Sequence, residues 1–257
     1  SDVCSSDLAA EVEKATNGQI KVKVYPNSSL GSEEKMLQAV QGGVQEFYMG
    51  SLVPFSVRKK ELQIFDFPFL FSDAREVAMV LDGPIGKRML DNLSDTGVTG
   101  LVWSGGAFRN IANSRRTLNK YEDLKGLKIR VMQSPVWLET FKAMGINATP
   151  MAYAEVYTAL KTGLVDAAEN NYPSYETSKH YEAAPIYSET QHVMLPEVLV
   201  FSKVKWDKLS KEDQQIIRDS VKEAIPYYVE QWAKKDQASK DITLKAGAKY
   251  VSDVNKA

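Results

Sequence analysis

The sequence contains very few of the residues that build metal sites and disulfide frameworks. Among its 257 residues there are one cysteine, Cys4, and two histidines, His180 and His192. A single cysteine cannot form an internal disulfide, and two distant histidines without a cysteine partner do not match the spacing of a zinc site. We therefore expect no bound metal or other cofactor, and a surface or structural role is the simplest interpretation of both histidines.

The sequence also lacks an excess of either charge and lacks long apolar runs. It has 32 Lys and Arg against 33 Asp and Glu, which gives a formal net charge of -1. This balance leaves no basic footprint for nucleic acid, and no stretch approaches the roughly 18 consecutive apolar residues of a membrane span. The sequence therefore predicts a chain that neither binds nucleic acid nor spans a membrane, and it favours a small neutral or acidic partner.

Motifs for phosphate binding and for nucleophilic catalysis are missing as well. The glycine-containing stretch 100–106 (GLVWSGG) does not spell G-x-G-x-x-G, and neither a P-loop nor a G-x-S-x-G motif occurs. Acidic pairs such as Glu33 with Glu34, or Asp166 with Glu169, are usually solvated or cap helices. We expect no catalytic residue and predict that the protein is not an enzyme.

What the sequence does contain is an alternation of strand-like and helix-like segments. Ile20 to Tyr25 (IKVKVY) alternates apolar and polar residues as a half-buried strand does, and 127–132 (LKIRVM) is a short apolar strand. Further strands are predicted at 98–103, 164–168 and 198–202, and helices at 33–41, 74–93, 135–144, 154–162, 173–182 and, with a kink at Pro226, from Ser210 to about 246. This order indicates an α/β fold with parallel sheets covered by helices, in one large domain or two smaller ones.

Two arginines lie in strand-like surroundings. Arg130 lies within LKIRVM just before a predicted helix, so its guanidinium should lie near the carboxyl end of a parallel strand, where α/β folds bind ligands. A guanidinium matches a carboxylate bidentately, and the N–H groups that begin a helix add positive potential. Arg109, in 108–113 (FRNIAN), has a comparable setting. The pattern alone leaves two interpretations open for each arginine, an anion-binding residue or a structural ion pair.

From about Ala9 onward the chain resembles the DctP-type solute-binding proteins of tripartite ATP-independent periplasmic (TRAP) transporters. The stretches that carry the resemblance are 17–31 (NGQIKVKVYPNSSLG), 65–71 (FDFPFLF), 108–115 (FRNIANSR), 123–135 (DLKGLKIRVMQSP), 150–169 (PMAYAEVYTALKTGLVDAAE) and 206–214 (WDKLSKEDQ). No single stretch is specific enough, but six in the family's order are difficult to obtain by chance.

The resemblance implies a two-domain, periplasmic-binding-protein-like (type II) α/β fold. Each domain would be a mostly parallel sheet flanked by helices, with a long bracing helix, and the domains would close on the ligand. We expect residues 1–107 with 196–235 to form domain I, and 108–195 with 236–257 to form domain II. The resemblance also implies a periplasmic protein, with a signal peptide in the complete gene, that delivers a small organic acid to small and large membrane permease subunits. An extracytoplasmic ligand sensor with the same fold remains an alternative.

The resemblance also assigns roles to individual residues. Arg130 corresponds to the arginine that grips the ligand carboxylate, and Arg109 to a second arginine that commonly assists it. Asn170 corresponds to an asparagine that hydrogen-bonds the same carboxylate. Tyr153 falls where family members place an aromatic ring against the ligand, and Gln133 lies on the turn after the Arg130 strand.

The segment 168–182 (AENNYPSYETSKHYE) and the later PEVLVFS sequence resemble members that bind sugar acids such as hexuronates, more than those that bind C4-dicarboxylates or sialic acid. Four side chains there offer donors, acceptors and ring faces suited to several hydroxyls. They are those of Asn171, Tyr172, His192 and Glu197. A dicarboxylate would require a further cation. We therefore predict a uronate, with a C4-dicarboxylate as the alternative, and a hinge or loop role without ligand contact stays open for each of the four.

Residues 1–8 (SDVCSSDL) are the direct translation of the end of a widely used sequencing adapter. We expect them to be an assembly artefact, in which Cys4 has no biological role. Family members carry a first strand with ligand-facing residues, which we do not find before Ala9, and the C-terminal end looks short. Because a central strand supplies hydrogen bonds on both edges, we expect the neighbouring strands to lack a partner and this chain to be less stable than the complete protein.

Overall fold

The computed structural model describes residues 9–255 apart from Glu11, Ala15, Gln19 and Asn27, so Cys4 and the adapter-like residues lie outside the described part. Contacts along the chain divide it into two compact units. The first unit contains the described residues up to Phe55, with Ala78–Gly105 and Pro196–Ala233, and the second contains Ser56–Val77, Gly106–Leu195 and the described residues from Lys234 onward.

The first unit is built on an antiparallel pair of strands. β1 (Phe47–Ser51) pairs with the second half of β6 (Ile186–Ser202), from Phe47 opposite Phe201 to Ser51 opposite Glu197. The helices of this unit are α1 (Glu33–Gln41), α4 (Pro84–Asp91) and α8 (Lys203–Trp206). Its apolar core contains Val12, Leu199, Phe201, Trp206, Ile217 and Val221.

The second unit contains a mainly parallel sheet. β3 (Lys128–Val131) lies between β4 (Asn147–Pro150) and β5 (Ala167–Asn170) and is parallel to both, while β5 is antiparallel to the end of β2 (Val98–Asn113). β7 (Lys249–Val251) runs parallel to the start of β6. The helices of this unit are α5 (Pro135–Ala143), α6 (Val156–Lys161) and α7 (Tyr172–Thr177).

Several elements belong partly to each unit. They are α2 (Val53–Ser56), α3 (Ala74–Leu81), β2, β6 and α9 (Lys211–Lys245). Short 3₁₀ helices occupy Lys60–Asp66, Asn92–Thr96, Tyr121–Leu124, Tyr153–Glu155 and His180–Glu182. Among the described residues, no helix combines the length and apolarity that crossing a bilayer requires.

Local signals in the sequence explain where most helices begin and end. The Oγ of Ser32 accepts a hydrogen bond from the N–H of Lys35, and Gly42 caps the other end of α1. Pro135 occupies the first turn of α5 directly after β3, as predicted. The predicted helix at 74–93 is instead two helices, because Gly83 and Pro84 end one and begin the next.

The strand predicted at Ile20 to Tyr25 is wrong. Residues 21–26 belong to no strand, and a cavity of about 570 Å³ is lined by this segment, by β1 and by the end of β6. Alternating apolar residues favour a strand, but a strand forms only where a partner satisfies its N–H and C=O groups.

Two further expectations differ from the structure in detail. The pair of strands in the first unit is antiparallel, so the mostly parallel pattern describes the second unit only. The sequence does not reveal this, because β1 and β6 are distant along the chain and alternation says nothing about direction. The segment 56–77, expected in domain I, is grouped with the second unit. The two compact units are defined by contacts and not by motion. The predicted domain bounds therefore stay a prediction.

Candidate ligand-binding site

The buried carboxylate of Glu169 lies at the centre of a group of basic side chains in the second unit. Arg109 donates from Nε to Oε2, and from Nη2 to Oε1 at 3.0 Å and to the main-chain oxygen of Glu169 at 2.9 Å. The Nη1 of Arg130 lies 3.9 Å from Oε1, and the Nε2 of His192 lies 3.7 Å from Oε2. The second distance is too long for a hydrogen bond. Three strands therefore direct basic side chains at one carboxylate on a fourth.

Strand pairing explains why these residues meet. β5 has β2 on one side and β3 on the other, with Ile111 opposite Glu169 and Arg130 opposite Ala168. The two arginines therefore reach β5 from strands on its two sides. No local sequence pattern records such a meeting, because the three strands come from distant parts of the chain.

Burial and charge act in opposite directions on Glu169. The residue is only 1% exposed, and burial by itself raises the pKa of its carboxyl group. The charge of Arg109, together with its hydrogen bonds and the nearby ring of His192, outweighs burial and holds the pKa below its ordinary value. The carboxylate is therefore ionised near neutral pH, and its removal would leave buried arginine charge uncompensated.

Aromatic rings of α5 fix the basic groups in place. The guanidinium carbon of Arg109 lies 5.5 Å from the centre of the Trp137 ring. The ring of His192 stands nearly perpendicular to those of Trp137 and Phe141, at 80° and 90°. Its Nδ1 lies 2.8 Å from the Oγ1 of Thr190. Packing on the rings and the contact with Thr190 restrict how far the two side chains can turn.

A second buried carboxylate, that of Asp66, belongs to the same neighbourhood. The hydroxyl groups of Ser56 and Ser134 donate to its Oδ2 at 2.9 and 3.2 Å. Burial raises the pKa of Asp66 to about 6, against the opposing effects of the Ser56, Trp137 and Ser134 side chains and of the Arg109 charge. The apolar run FDFPFLF therefore contains a polar residue that takes part in the electrostatics of the site.

Arg130 is 4% exposed and lies at the end of β3, directly before α5. Its Nε and Nη2 donate to the main-chain oxygen of Met151 at 3.0 and 2.8 Å. Burial, followed by the charge of Arg130, lowers the pKa of the His180 ring to about 4. The structure thus places a fixed guanidinium where the sequence predicts the carboxylate-binding arginine.

Two adjacent asparagines follow Glu169 and have different hydrogen bonds. The Oδ1 of Asn170 accepts from the N–H of Asn171 at 2.9 Å, so the side-chain NH₂ group of Asn170 is the part that can donate to a ligand. The Oδ1 of Asn171 accepts from the N–H of Ser174 at 2.9 Å and caps α7. Asn171, which is predicted to contact the ligand, therefore also stabilises the start of a helix.

The side chains of Tyr153 and Gln133 have different surroundings. Tyr153 is partly buried, and its hydroxyl lies 2.5 Å from the Oγ of Ser178, while its ring centre lies 5.8 Å from that of His180. The charge of Arg130 acts on His180, whose ring contacts that of Tyr153. Tyr153 therefore lies on the Arg130 side of the group around Glu169. Gln133 is exposed on the turn after β3.

The other two predicted residues are engaged elsewhere. The hydroxyl of Tyr172 donates to Glu189 at 2.8 Å, and the Nζ of Lys240 lies 5.4 Å from the centre of the Tyr172 ring. Glu197 is half-buried in the first unit, opposite Ser51. The structure therefore brings Arg109 and Arg130 together next to Glu169, and Asn170 follows Glu169 in β5. It does not add Tyr172 or Glu197 to that group.

Sequence reasoning missed the role of Glu169. The interpretation of Asp166 and Glu169 as a solvated acidic pair is wrong, because both residues are buried, at 5% and 1% exposure. The Nε of Arg115 donates to Asp166 at 2.8 Å, and Glu169 is paired with Arg109. The usable signal was an acid directly after the apolar pair Ala167 and Ala168, on a strand next to two strands that each carry an arginine.

Metal binding receives no support. Within the described part of the chain, no cluster of three or more His, Cys, Asp or Glu side chains could hold a metal ion. The arrangement is suited instead to holding an organic anion, through guanidinium and amide donors.

Known proteins match nearly all of the chain. A family model described as bacterial extracellular solute-binding protein, family 7 (DctP), matches residues 4–257. A solute-binding protein of Chromohalobacter salexigens is 39% identical over 242 residues, which cover 94% of this chain and 72% of that protein.

Two solved structures are closely similar. One is a TRAP periplasmic solute binding protein from a Bradyrhizobium species in complex with α/β-D-galacturonate, with 41% identity and a TM-score of 0.95 over 99% of this chain and 85% of that one. The other, from Chromohalobacter salexigens, contains D-glucuronate and has 37% identity and a TM-score of 0.95 over 99% of this chain and 84% of that one. With its family model, its relatives and its fold in agreement, the chain belongs to the DctP family of extracellular solute-binding proteins of TRAP transporters.

Proposed function

We propose that this protein binds a hexuronate such as galacturonate or glucuronate in the periplasm and delivers it to the permease subunits of a TRAP transporter. Arg130 would bind the carboxylate, Arg109 and the NH₂ group of Asn170 would assist, and the sugar hydroxyls would face the remaining polar and aromatic side chains. The protein would act by binding and release, without chemical conversion of the solute.

One observation carries the proposal. Two buried arginines, on strands at either side of β5, are held next to Glu169 by acceptors that belong to the protein. A buried guanidinium with a fixed orientation can bind a carboxylate through two parallel hydrogen bonds. The similar structures that contain galacturonate and glucuronate support the choice of sugar acid.

A panel of ligands tests the proposal. Isothermal titration with galacturonate, glucuronate, succinate and galactose should show binding of a uronate, weak or no binding of succinate, and none of galactose, which lacks the carboxylate. The thermal unfolding midpoint should rise with uronate concentration, because a ligand that binds only the folded state stabilises it. Binding of succinate in place of both uronates would overturn the sugar-acid proposal.

Delivery to a permease requires a separate measurement. Vesicles that contain the small and large subunits of a TRAP permease should accumulate labelled uronate only when the binding protein is added. Accumulation that is independent of the binding protein would contradict its role in transport.

A further inference from the structure

We propose that Asn110 is a positioning residue of the candidate site: its side chain holds a left-handed kink in β6 at Gln191, and thereby fixes His192 and Asn170 on the strands at either side of β2. This inference rests on the proposed function, because it concerns residues of the site that would bind the uronate.

The kink in β6 is a single residue in the left-handed region. Gln191 has a φ of +46°, a conformation that a residue with a Cβ atom disfavours. Its N–H donates to the Oδ1 of Asn110 at 2.9 Å. Asn110 is only 1% exposed, so water competes little for this hydrogen bond. Asn110 therefore supplies an acceptor that favours the kinked conformation over an ordinary strand.

The kink determines the surroundings of His192, the next residue. The Nδ1 of its ring lies 2.8 Å from the Oγ1 of Thr190, so the side chains that flank Gln191 meet. The main-chain oxygen of His192 accepts from the N–H of Phe69 at 2.8 Å. If residue 191 returned to strand geometry, the directions of the His192 ring and of its carbonyl group would change together.

The other end of the Asn110 amide is connected to β5. Its Nδ2 donates to the hydroxyl of Tyr187 at 3.3 Å, and that hydroxyl donates to the main-chain oxygen of Asn170 at 2.8 Å. Asn110 also lies opposite Asn170 in the pairing of β2 with β5. Because a main-chain N–H can only donate, the oxygen of the amide faces Gln191 and the NH₂ group faces Tyr187. An ionised aspartate would supply no donor here, and an alanine would supply neither group.

Three substitutions and a matched control test this role in the full chain. N110A removes both ends of the amide. Q191V keeps Asn110 but opposes the kink, because a β-branched residue strongly disfavours positive φ, whereas Q191G permits positive φ without steric cost. N113A is the control, because Asn113 is a buried asparagine of the same strand whose Oδ1 accepts from the N–H groups of Arg115 and Arg116 instead.

Isothermal titration with galacturonate measures affinity, and urea unfolding measures stability. N110A and Q191V should each weaken binding by about tenfold or more, because the kink is lost. Q191G alone should stay within about threefold of the unaltered protein, and N110A/Q191G should bind about threefold or more tightly than N110A, because glycine adopts the kink without the Asn110 acceptor. N113A should unfold at a lower urea concentration and keep its affinity within about threefold.

A merely structural role predicts a different result. It would lower the stability of N110A and N113A alike and leave the affinity of the folded variants unchanged. Full affinity in folded N110A or in Q191V would therefore overturn the inference, and so would a failure of Q191G to restore affinity to N110A. Should N110A not fold, as judged by circular dichroism, Q191V decides, because it keeps Asn110 and changes the conformational preference of residue 191.

The outcomes also distinguish this inference from the proposed function. Uronate binding by the unaltered protein, together with full affinity in these variants, would overturn the role of Asn110 and leave the proposed function standing. Absence of uronate binding in the unaltered protein would overturn both.

Discussion

The main-chain oxygen of Met151 accepts two hydrogen bonds from Arg130, at 3.0 Å from Nε and 2.8 Å from Nη2. A neutral acceptor satisfies these donors without cancelling the positive charge. Arg109 differs, because its principal partner is the carboxylate of Glu169. The two arginines are therefore unequal, and we expect Arg130 to contribute more to the attraction of an anion.

Replacement of Arg130 should weaken uronate binding strongly. R130A removes one partner of a buried charge pair in the complex, a change that typically costs about 2 to 5 kcal/mol of binding free energy. R130K, which keeps the charge but loses the planar fork, should lose less. Isothermal titration measures both, and R115A is the control, because the Arg115 side chain is 59% exposed and pairs with Asp166. Uronate affinity in R130A equal to that of R115A would remove Arg130 from the site.

Asp66 should make stability depend on pH. Burial raises its pKa from 3.8 to about 6, so the folded state holds this proton more tightly than the unfolded state does. The resulting stabilisation is fully present below about pH 4 and is lost as pH rises through about 6, a change of roughly 3 kcal/mol. D66N does not titrate and keeps an acceptor for Ser56 and Ser134. The stability of D66N relative to the unaltered protein should therefore rise between pH 4 and pH 7.

Urea unfolding at several pH values measures this difference. The comparison with D66N is necessary because His180, whose pKa is lowered to about 4, contributes a change of opposite sign over much of the same interval. Both proteins share His180, so its contribution cancels. A difference in unfolding free energy that does not vary with pH would show that Asp66 titrates normally.

His180 should report on occupancy of the site. Burial and the charge of Arg130 lower its pKa to about 4. A ligand carboxylate at Arg130 would offset part of that charge, so uronate should raise the pKa of His180, whereas galactose should not. The ring resonances in an NMR titration follow this change. R130Q without ligand should show the same direction of change, and a fall of the pKa on uronate binding would contradict a carboxylate at Arg130.

Asn171 combines a structural role with a predicted ligand contact, and two substitutions separate them. N171A removes the oxygen that caps α7 and should lower the free energy of unfolding by about 1 kcal/mol, whereas N171S keeps a capping oxygen and should not. If Asn171 contacts the ligand as predicted, calorimetry should show weaker uronate binding in both variants. Full affinity in N171S would contradict the ligand contact.

The sequence predicted the elements that have strong local signals. β3 and α5 follow from the apolar LKIRVM stretch and the proline after it, and Arg130 lies where that pattern places a ligand-binding side chain. The break between α3 and α4 was missed although its signal is local, because Gly83 and Pro84 are together a helix end and a helix start. Such features depend on residues that are adjacent in the chain.

Features that depend on distant residues could not be predicted in the same way. Ile20 to Tyr25 has the periodicity of a strand, but periodicity does not supply a partner. Glutamate is a residue type that is usually found at the surface. Only the pairing of β5 with β2 and β3 brings arginines next to Glu169. The role of Asp66 depends likewise on Ser134, which is 68 residues away in sequence.

The anchors on the two guanidinium groups have a consequence for how firmly a solute is retained. Met151 and Glu169 immobilise both side chains before any acid arrives, so the encounter does not have to freeze their rotamers, a penalty of about 0.5 to 1.5 kcal/mol for each. Preorganisation of this kind leaves more of the interaction energy for affinity. Under the proposed function, this preorganisation would prolong the time for which the protein retains a dilute solute.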